Sequence, residues 1–268
     1  MTVRRLARGV DDGYRSPLLP GLKSSADAER LAQELASSAG CLGLLSSDPP
    51  ELYAEVAAAD RELEERTWLA LLIAYIGPLE EASPFRSIER VRTSWGSGAD
   101  PDLEGIETGP RSVHDPTRPE RTLTAYRAWA ERAGSQAAAF TGQPEWSAER
   151  RFARTFERLA LPGFHRAGRF ALLVILGRTG VYELRPAALQ LGAGDPVTLA
   201  AKRLLGIGDP LLLERRAGEL ASACGLPLDA LDLALHNWER GERATLGLGI
   251  GAEPDPAALD SCRRALSL

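Results

Sequence analysis

The stretch that decides the fold is residues 157–208, ERLALPGFHRAGRFALLVILGRTGVYELRPAALQLGAGDPVTLAAKRLLGIG. A Leu-Pro-Gly-Phe break at 161–164 joins two segments whose apolar residues recur at helical spacing, which predicts two helices joined by a tight turn. Asp195 precedes a proline, the pattern of a helix N-cap, and predicts a third helix over 196–205. The stretch therefore predicts a helical hairpin followed by a helix that begins at a carboxylate.

Helical spacing also dominates the rest of the chain, and alternating strand patterns are nearly absent. Residues 67–76, TWLALLIAYI, are apolar nearly all round and predict a central buried helix. Residues 95–120 are rich in proline and glycine and predict a long loop, of the kind that is usually functional or mobile. We predict an all-α protein of roughly ten helices, over 25–38, 51–65, 67–76, 122–140, 147–159, 166–176, 196–205, 211–224, 228–239 and 256–266.

The domain organisation is predicted from composition along the chain. Residues 1–25 read as an irregular N-terminal arm, 26–240 as a helical domain, and 241–268 as a glycine-containing tail that ends in a short helix. The start lacks the apolar run of a secretory signal, and no apolar run reaches the length of a membrane span. We therefore expect a cytoplasmic protein that does not contact a membrane.

Charge is distributed unevenly. The net charge is −5, which argues against coating nucleic acid through bulk charge. Residues 149–203, however, hold ten basic and four acidic side chains, a net +6 that leaves −11 on the remainder. A basic segment of this kind fits a local phosphate site, and it fits a solvated helix face as well.

The predicted hairpin is a candidate phosphate-binding site. Backbone N–H groups at the start of the second helix can point at a phosphate oxygen, with help from the helix dipole. Phe164 would anchor the turn in the core, while Arg166 and Arg169 could pair with phosphates. The alternative is a purely structural turn, because Pro-Gly connections between helices are common. Asp195 likewise fits both a plain N-cap and a functional carboxylate.

The hairpin, followed by GDPVTLAAKRL at 194–204, resembles the helix-hairpin-helix DNA glycosylase superfamily. The resemblance covers mainly residues 147–240, with the hairpin near 148–177, and 62–78 match an earlier core helix weakly. Within the superfamily, the runs 159–184, 198–217 and 231–242 look like the bacterial clade of the α-glutamyl/putrescinyl thymine pyrophosphorylase group. The resemblance implies a multi-helix glycosylase-like fold that binds DNA and flips a base.

The implied activity is displacement of pyrophosphate from pyrophosphorylated 5-hydroxymethyluracil in DNA by a small amine. Asp195 would be the essential catalytic carboxylate. The residues implied to bind DNA or phosphate are Pro162, Gly163, Phe164, His165, Arg166, Arg169, Lys202 and Arg203. The candidates for a base pocket are Tyr182, His236, Asn237 and Trp238. Two alternatives stay open: a monofunctional glycosylase that excises a damaged or modified base, and a non-catalytic DNA-binding module.

The chain departs from the superfamily pattern at four places. Ala167 stands where bifunctional members carry a lysine, so Schiff-base lyase chemistry is not expected. His165 replaces the second glycine of the usual hairpin, residues 185–192 look like an insertion, and no cysteine cluster follows. Cys41, Cys224 and Cys262 are expected to be buried thiols, and no metal or cofactor site is predicted.

One further pair of residues lies in the predicted loop. His114 and Asp115 could form a general acid/base pair, and a solvated turn is the simpler interpretation.

Overall fold

The computed structural model describes residues 9–192, 194–241, 243–248 and 254–268. Within these residues every regular element is a helix, which confirms the all-α prediction, and there are twelve helices rather than roughly ten. The first eight residues of the predicted arm and residues 242 and 249–253 of the predicted tail lie outside the described residues. In chain order the helices are α1 (Ser25–Ser47), α2 (Leu52–Ala57), α3 (Leu63–Ile76), α4 (Arg86–Val91), α5 (Arg121–Arg132), α6 (Gln136–Thr141), α7 (Ala148–Arg158), α8 (Arg166–Arg178), α9 (Pro196–Leu205), α10 (Pro210–Cys224), α11 (Leu228–Arg240) and α12 (Pro256–Leu266).

The chain forms two compact units. Unit 1 consists of the described residues within 1–42, 188–243 and 250–268, and it holds most of α1 together with α9, α10, α11 and α12. Unit 2 consists of the described residues within 43–187 and 244–249, and it holds α2 to α8. The predicted limits of the helical domain at 26 and 240 stay a prediction, since compact units alone do not establish domain boundaries.

Unit 2 is organised around α3. Residues 67–76 of this helix are all buried, which confirms the prediction of a central buried helix. A helix that is apolar on every side must be covered on every side. Its most extensive partner is α8, and α2, α4 and α6 also pack against it. The position of α8, the second helix of the predicted hairpin, is therefore set by burial against α3.

An aromatic cluster fills the core of unit 2 beside the N-terminal half of α3. Tyr126 packs against both Trp68 and Trp129, with ring centroids 6.1 and 5.4 Å away. Phe140 continues the cluster, with its centroid 5.3 Å from that of Trp129 and 5.2 Å from that of Tyr182. These contacts bring α3, α5 and α6 together with the segment that follows α8.

Unit 1 is built on the pair α9 and α11, which pack extensively against each other. Helix α10 contacts α9, α11 and α12. Residues 9–24 contain turns but no helix. This segment is nevertheless tied to the unit, because Tyr14 Oη donates to Leu266 O at 2.5 Å and Gly21 N donates to Leu204 O at 2.9 Å.

The prediction of a single helix over 51–65 is wrong. The chain forms α2 and then leaves helical geometry at Ala58, whose ψ is 106°. The Arg66 side chain explains how the break is tolerated. Its Nε donates to Val56 O at 2.7 Å and its Nη2 donates to Ala57 O at 3.3 Å. These bonds satisfy two carbonyl groups that a continuing helix would otherwise have bonded.

Two other helix boundaries differ from the prediction. The single helix expected over 122–140 is divided into α5 and α6 at Gly134. The φ of Gly134 is +90°, which is incompatible with a right-handed helix. Ser135 then caps α6 by accepting a bond from Ala138 N. Helix α1 continues to Ser47 rather than ending near Ser38, so its glycines do not terminate it.

All three cysteines are buried free thiols, as predicted. The packing of α10 against α12 brings Cys224 and Cys262 together, although they lie far apart in sequence. The neighbouring Cys224 thiol and burial raise the pKa of Cys262.

Arg151 joins three segments of unit 2 through backbone carbonyls. Its side chain is buried, and its guanidinium donates to Thr141 O at 2.7 Å, Trp146 O at 3.1 Å and Glu183 O at 3.0 Å. Arginine can bind several carbonyl groups at once because its guanidinium holds five N–H donors in one rigid plane. Arg151, on α7, therefore crosslinks the end of α6 and the connection before α7 to the segment after α8.

We predict that Arg151→Met lowers the free energy of unfolding by about 3 kcal/mol, because three carbonyls lose a charged donor at a buried site. Arg154→Met is the matched control. Arg154 lies on the same helix, is half exposed and pairs only with Glu157 at i+3, so its loss should cost less than about 0.5 kcal/mol. Urea unfolding followed by far-UV circular dichroism measures both. Equal effects of the two variants would contradict the crosslinking role.

Candidate functional site

The predicted hairpin forms at the predicted place. Helix α7 ends at Arg158 and α8 begins at Arg166, and between them Phe164 N donates to Leu161 O at 3.0 Å. Gly163 has φ +79°, a conformation that side-chain-bearing residues adopt rarely. Phe164 is buried with 2% exposure and holds the turn against the core of unit 2.

The exposed face of the hairpin is the start of α8. His165 occupies the N-cap position with extended backbone, and its side chain makes no capping bond. Ser147, by contrast, caps α7 by accepting from Arg150 N. Pro162 and His165 are both exposed to solvent. The first turn of α8 therefore has no capping side chain, although Arg166 and Gly168 within it are buried and only the flanking Pro162 and His165 are exposed.

Arg166 and Arg169 lie beneath this face rather than on it. Arg166 has 6% exposure, and its guanidinium stacks 4.8 Å from the Phe170 ring centroid. Arg169 stacks 4.2 Å from the Phe156 ring centroid and donates to Phe156 O at 3.1 Å. Burial and the neighbouring Arg166 charge both lower the pKa of Arg169. Direct phosphate contacts by these two residues stay a prediction.

The long loop predicted over 95–120 contains no helix, and one part of it supports the hairpin. Val113 N donates to Tyr75 O at 3.1 Å, which fixes the loop against the C-terminal end of α3. The Val113 side chain packs against Gly168 so closely that a Cβ atom there would lie 2.5 Å from Val113 Cγ2. Thr122 Oγ1, just after the loop, donates to Pro162 O at 3.2 Å.

Sequence reasoning missed Val113 and Thr122. The one available signal was Gly168, a glycine in the first turn of α8, because a glycine within a helix often has a packing reason such as a close approach by another segment.

His114 and Asp115 have different partners. The Nδ1 atom of His114 lies 3.2 Å from the Tyr75 hydroxyl, and burial lowers the pKa of His114. Asp115 is exposed and accepts from Thr117 N at 2.9 Å and Thr117 Oγ1 at 2.7 Å. These bonds form the local turn that was the simpler interpretation of Asp115.

Asp195 is the N-cap of α9, as its sequence predicted. Its Oδ1 accepts from Val197 N at 3.0 Å and Thr198 N at 3.3 Å, and its Oδ2 accepts from Thr198 Oγ1 at 2.7 Å. Thr198 Oγ1 in turn accepts from Gly192 N at 3.1 Å. The carboxylate is thus held in one orientation by its own helix and by the segment before it.

Two other aspartates of unit 1 have the same local design. Asp209 and Asp255 each precede a proline and cap α10 and α12. Both are exposed, whereas Asp195 is only partly exposed and has the additional Thr198 hydroxyl bond. Capping alone therefore does not distinguish Asp195 from the other two aspartates. What distinguishes it is its partial burial and the bond that its Oδ2 accepts from the Thr198 hydroxyl.

Lys202 and Arg203 lie in the last turn of α9 and are exposed. They are seven and eight residues beyond Asp195, which places them about 10 Å further along the helix axis. Arg203 Nη1 pairs with Glu239 Oε1 on α11 at 2.5 Å. The structure therefore puts the predicted carboxylate and the predicted α9 cations at opposite ends of one helix.

The four candidates for a base pocket are buried. Tyr182 stacks on Phe140, and its hydroxyl lies 2.8 Å from Thr67 Oγ1; burial raises the pKa of Tyr182 to about 12. Trp238 Nε1 donates to Asp27 O at 3.1 Å. His236 and Asn237, also on α11, have 4% and 3% exposure. Contact with a flipped base stays a prediction for all four.

The predicted site residues are divided between the two units. Unit 2 holds the hairpin residues 162–166, Arg169 and Tyr182. Unit 1 holds Asp195, Lys202, Arg203 and the α11 residues 236–238.

No protein-family model matches the chain, and no curated protein or solved structure is significantly similar to it. The glycosylase-like fold and the family therefore remain proposals. Among the described residues, no helix has the length and apolarity needed to cross a bilayer.

We predict that Gly168→Ala destabilises unit 2 by about 1–3 kcal/mol, because the new methyl group would overlap Val113 Cγ2 and the Phe164 ring. Gly218→Ala is the matched control. Gly218 also lies inside a helix, but a Cβ there meets nothing within 4 Å, so the change should stabilise by up to about 1 kcal/mol. Urea unfolding measures whether each variant lowers or raises the free energy of unfolding. A neutral Gly168→Ala would show that the loop does not clamp the hairpin.

Proposed function

We propose that the protein is a DNA base-modification enzyme that acts on a flipped, hypermodified thymine. In the proposed reaction an amine attacks the methylene carbon of pyrophosphorylated 5-hydroxymethyluracil, and the carbon–oxygen bond to pyrophosphate breaks. The products are an aminomethyl base, free pyrophosphate and a proton from the amine. The observation that supports the proposal best is the hairpin between α7 and α8, whose second helix begins without a capping side chain next to the exposed Pro162 and His165.

The hairpin is proposed to bind one DNA phosphate through backbone N–H groups of the first turn of α8. Gly163 gives the backbone its turn, and Pro162 and His165 lie on the exposed side. The helix dipole adds a favourable interaction with a negative charge at this end. Arg166 and Arg169, which lie beneath, contribute positive potential in a region of low dielectric constant.

Asp195 is proposed to interact with the positive charge that develops on the attacking amine, and to accept its proton. A carboxylate whose oxygens are already oriented by Val197 N, Thr198 N and Thr198 Oγ1 needs little reorganisation during the reaction. The exposed cations Lys202 and Arg203 are proposed to bind phosphate groups, of the DNA or of the leaving pyrophosphate.

A monofunctional glycosylase is the second candidate. Ala167 favours a monofunctional over a bifunctional glycosylase. Without a lysine at this position, the first turn of α8 has no amine that could form a Schiff base. The two reactions leave different products: excision leaves an abasic site, and pyrophosphate displacement leaves an intact backbone with an altered base.

We predict that Asp195→Asn lowers turnover by a factor of about 10²–10³ or more, because the charge at the reacting centre is lost. Asparagine caps helices as well as aspartate, so the fold and DNA affinity should be retained. Asp209→Asn, the same change in a neighbouring Asp-Pro cap, is the matched control and should keep full activity. Mass spectrometry of nucleosides from DNA carrying pyrophosphorylated hydroxymethyluracil, incubated with candidate amines, measures turnover.

Each result of that experiment has a distinct meaning. Full activity of Asp195→Asn would contradict the role of the carboxylate. An abasic product would favour the glycosylase. DNA binding without any product, for the wild-type protein and both variants, would favour a non-catalytic DNA-binding module.

We predict that His165→Glu weakens DNA binding by about tenfold, because it places a negative charge at the proposed phosphate site. Gln143→Glu, the control, makes the same charge change in an exposed turn at the other end of α7, about 16 Å away along the helix. Its affinity should stay within about twofold of wild type. Fluorescence anisotropy with duplex DNA at two salt concentrations measures both. Equal losses would show that only net charge matters.

A further inference from the structure

A cavity of about 240 Å³ lies on unit 2. Its apolar side is formed by α3, through Trp68, Leu69 and Leu72. Leu69 is the most exposed of these residues, at 9%, while Trp68 and Leu72 are 1% and 0% exposed and support the wall from behind. No residue of the predicted DNA site lines this cavity.

Three arginines also line the cavity: Arg61, Arg66 and Arg92. They come from three different segments, namely the turn before α3, α3 itself and the residue after α4. Three guanidinium groups around one small cavity repel each other, and their charge must be offset by acids or by a bound anion.

Glu55 and backbone carbonyls hold these arginines in place. Glu55 Oε2 lies 2.7 Å from Arg61 Nη1 and 3.1 Å from Arg92 Nη1, so one carboxylate bridges two guanidinium groups. Arg66 is fixed by its bonds to Val56 O and Ala57 O. The arginines are therefore oriented before any ligand arrives, which lowers the entropic cost of binding.

The second acid of the cavity, Glu65, already accepts hydrogen bonds from other residues of the protein. Glu65 accepts from Ser94 Oγ at 2.6 Å, Trp95 N at 2.9 Å and Gly96 N at 3.0 Å. Burial raises the pKa of Glu65, and these bonds outweigh that effect and lower it overall. Three arginines and two glutamates leave the lining at a net charge of +1.

We propose that this cavity binds a small organic anion, with a carboxylate or phosphate group at Arg61, Arg66 and Arg92 and a small apolar body against the exposed part of Leu69 on α3. The volume limits the ligand to one small molecule, since drug-sized ligands occupy roughly 300–1,000 Å³. This inference is independent of the proposed reaction on DNA.

Four probes test the inference by titration, followed by ligand-observed NMR and by chemical-shift changes of the protein. Benzoate and phenyl phosphate carry the two candidate acid groups on the same ring. Benzyl alcohol is the neutral counterpart, and inorganic phosphate lacks the apolar body. We expect saturable binding of benzoate or phenyl phosphate at one site, about tenfold tighter than either of the other two probes. Which of the two binds more tightly identifies the acid group.

Arg61→Gln and Arg92→Gln are the decisive variants. Both side chains are about half exposed, at 53% and 43%, so their replacement leaves the core intact. Each change should weaken binding about tenfold or more through the loss of a charged donor. Arg215→Gln, at an exposed arginine of α10 paired only at i+4, is the matched control and should bind as wild type does.

Three results would overturn the inference. The first is equal binding by wild type, Arg61→Gln and Arg92→Gln. The second is benzyl alcohol or inorganic phosphate binding as tightly as the two aromatic anions. The third is no saturable binding of any probe up to about 10 mM, where an affinity of only a few kcal/mol would still be detected.

Discussion

The requirement that α3 be covered on all sides constrains the rest of unit 2. Ten consecutive residues of this helix, 67–76, are buried, so every direction around it needs an apolar or hydrogen-bonded neighbour. Helix α8 supplies the largest part of that cover. At the C-terminal end of α3, Tyr75 O accepts from Val113 N, and Val113 packs on Gly168 of α8. The hairpin is therefore placed by the helix behind it as much as by its own turn sequence.

Arginine serves the interior of this protein as well as its surface. Of the ten basic residues in 149–203, Arg151 and Arg166 are buried, and Arg169 is half-buried against Phe156. In unit 2, Arg127 lies between Trp68 and Trp95, 4.4 and 4.6 Å from their ring centroids. A guanidinium can give five hydrogen bonds and stack on rings, so it satisfies backbone carbonyls that no apolar residue could. The basic charge of a segment is therefore a poor measure of its surface charge.

Asp195 shows how one side chain can have a structural and a proposed chemical role together. The bonds that cap α9 also fix the carboxylate, and a fixed charge is what transition-state stabilisation needs. The exposed caps Asp209 and Asp255 share the Asp-Pro sequence without the second-oxygen contact to a threonine hydroxyl. Comparison of these caps within one chain separates the energetic cost of losing a cap from the loss of activity.

Local signals in the sequence determined the helical class, both helices of the hairpin, the long loop and the N-cap at Asp195. These features depend on apolar spacing, turn residues and hydrogen bonds between residues only a few positions apart. Tertiary structure alone decided the break between α2 and α3, the clamp of Val113 on Gly168, the burial of Arg166 and the cluster of arginines around the cavity. Each of these depends on contacts between separate segments, in which a buried carbonyl or charge must find its partner, and no local pattern encodes that choice.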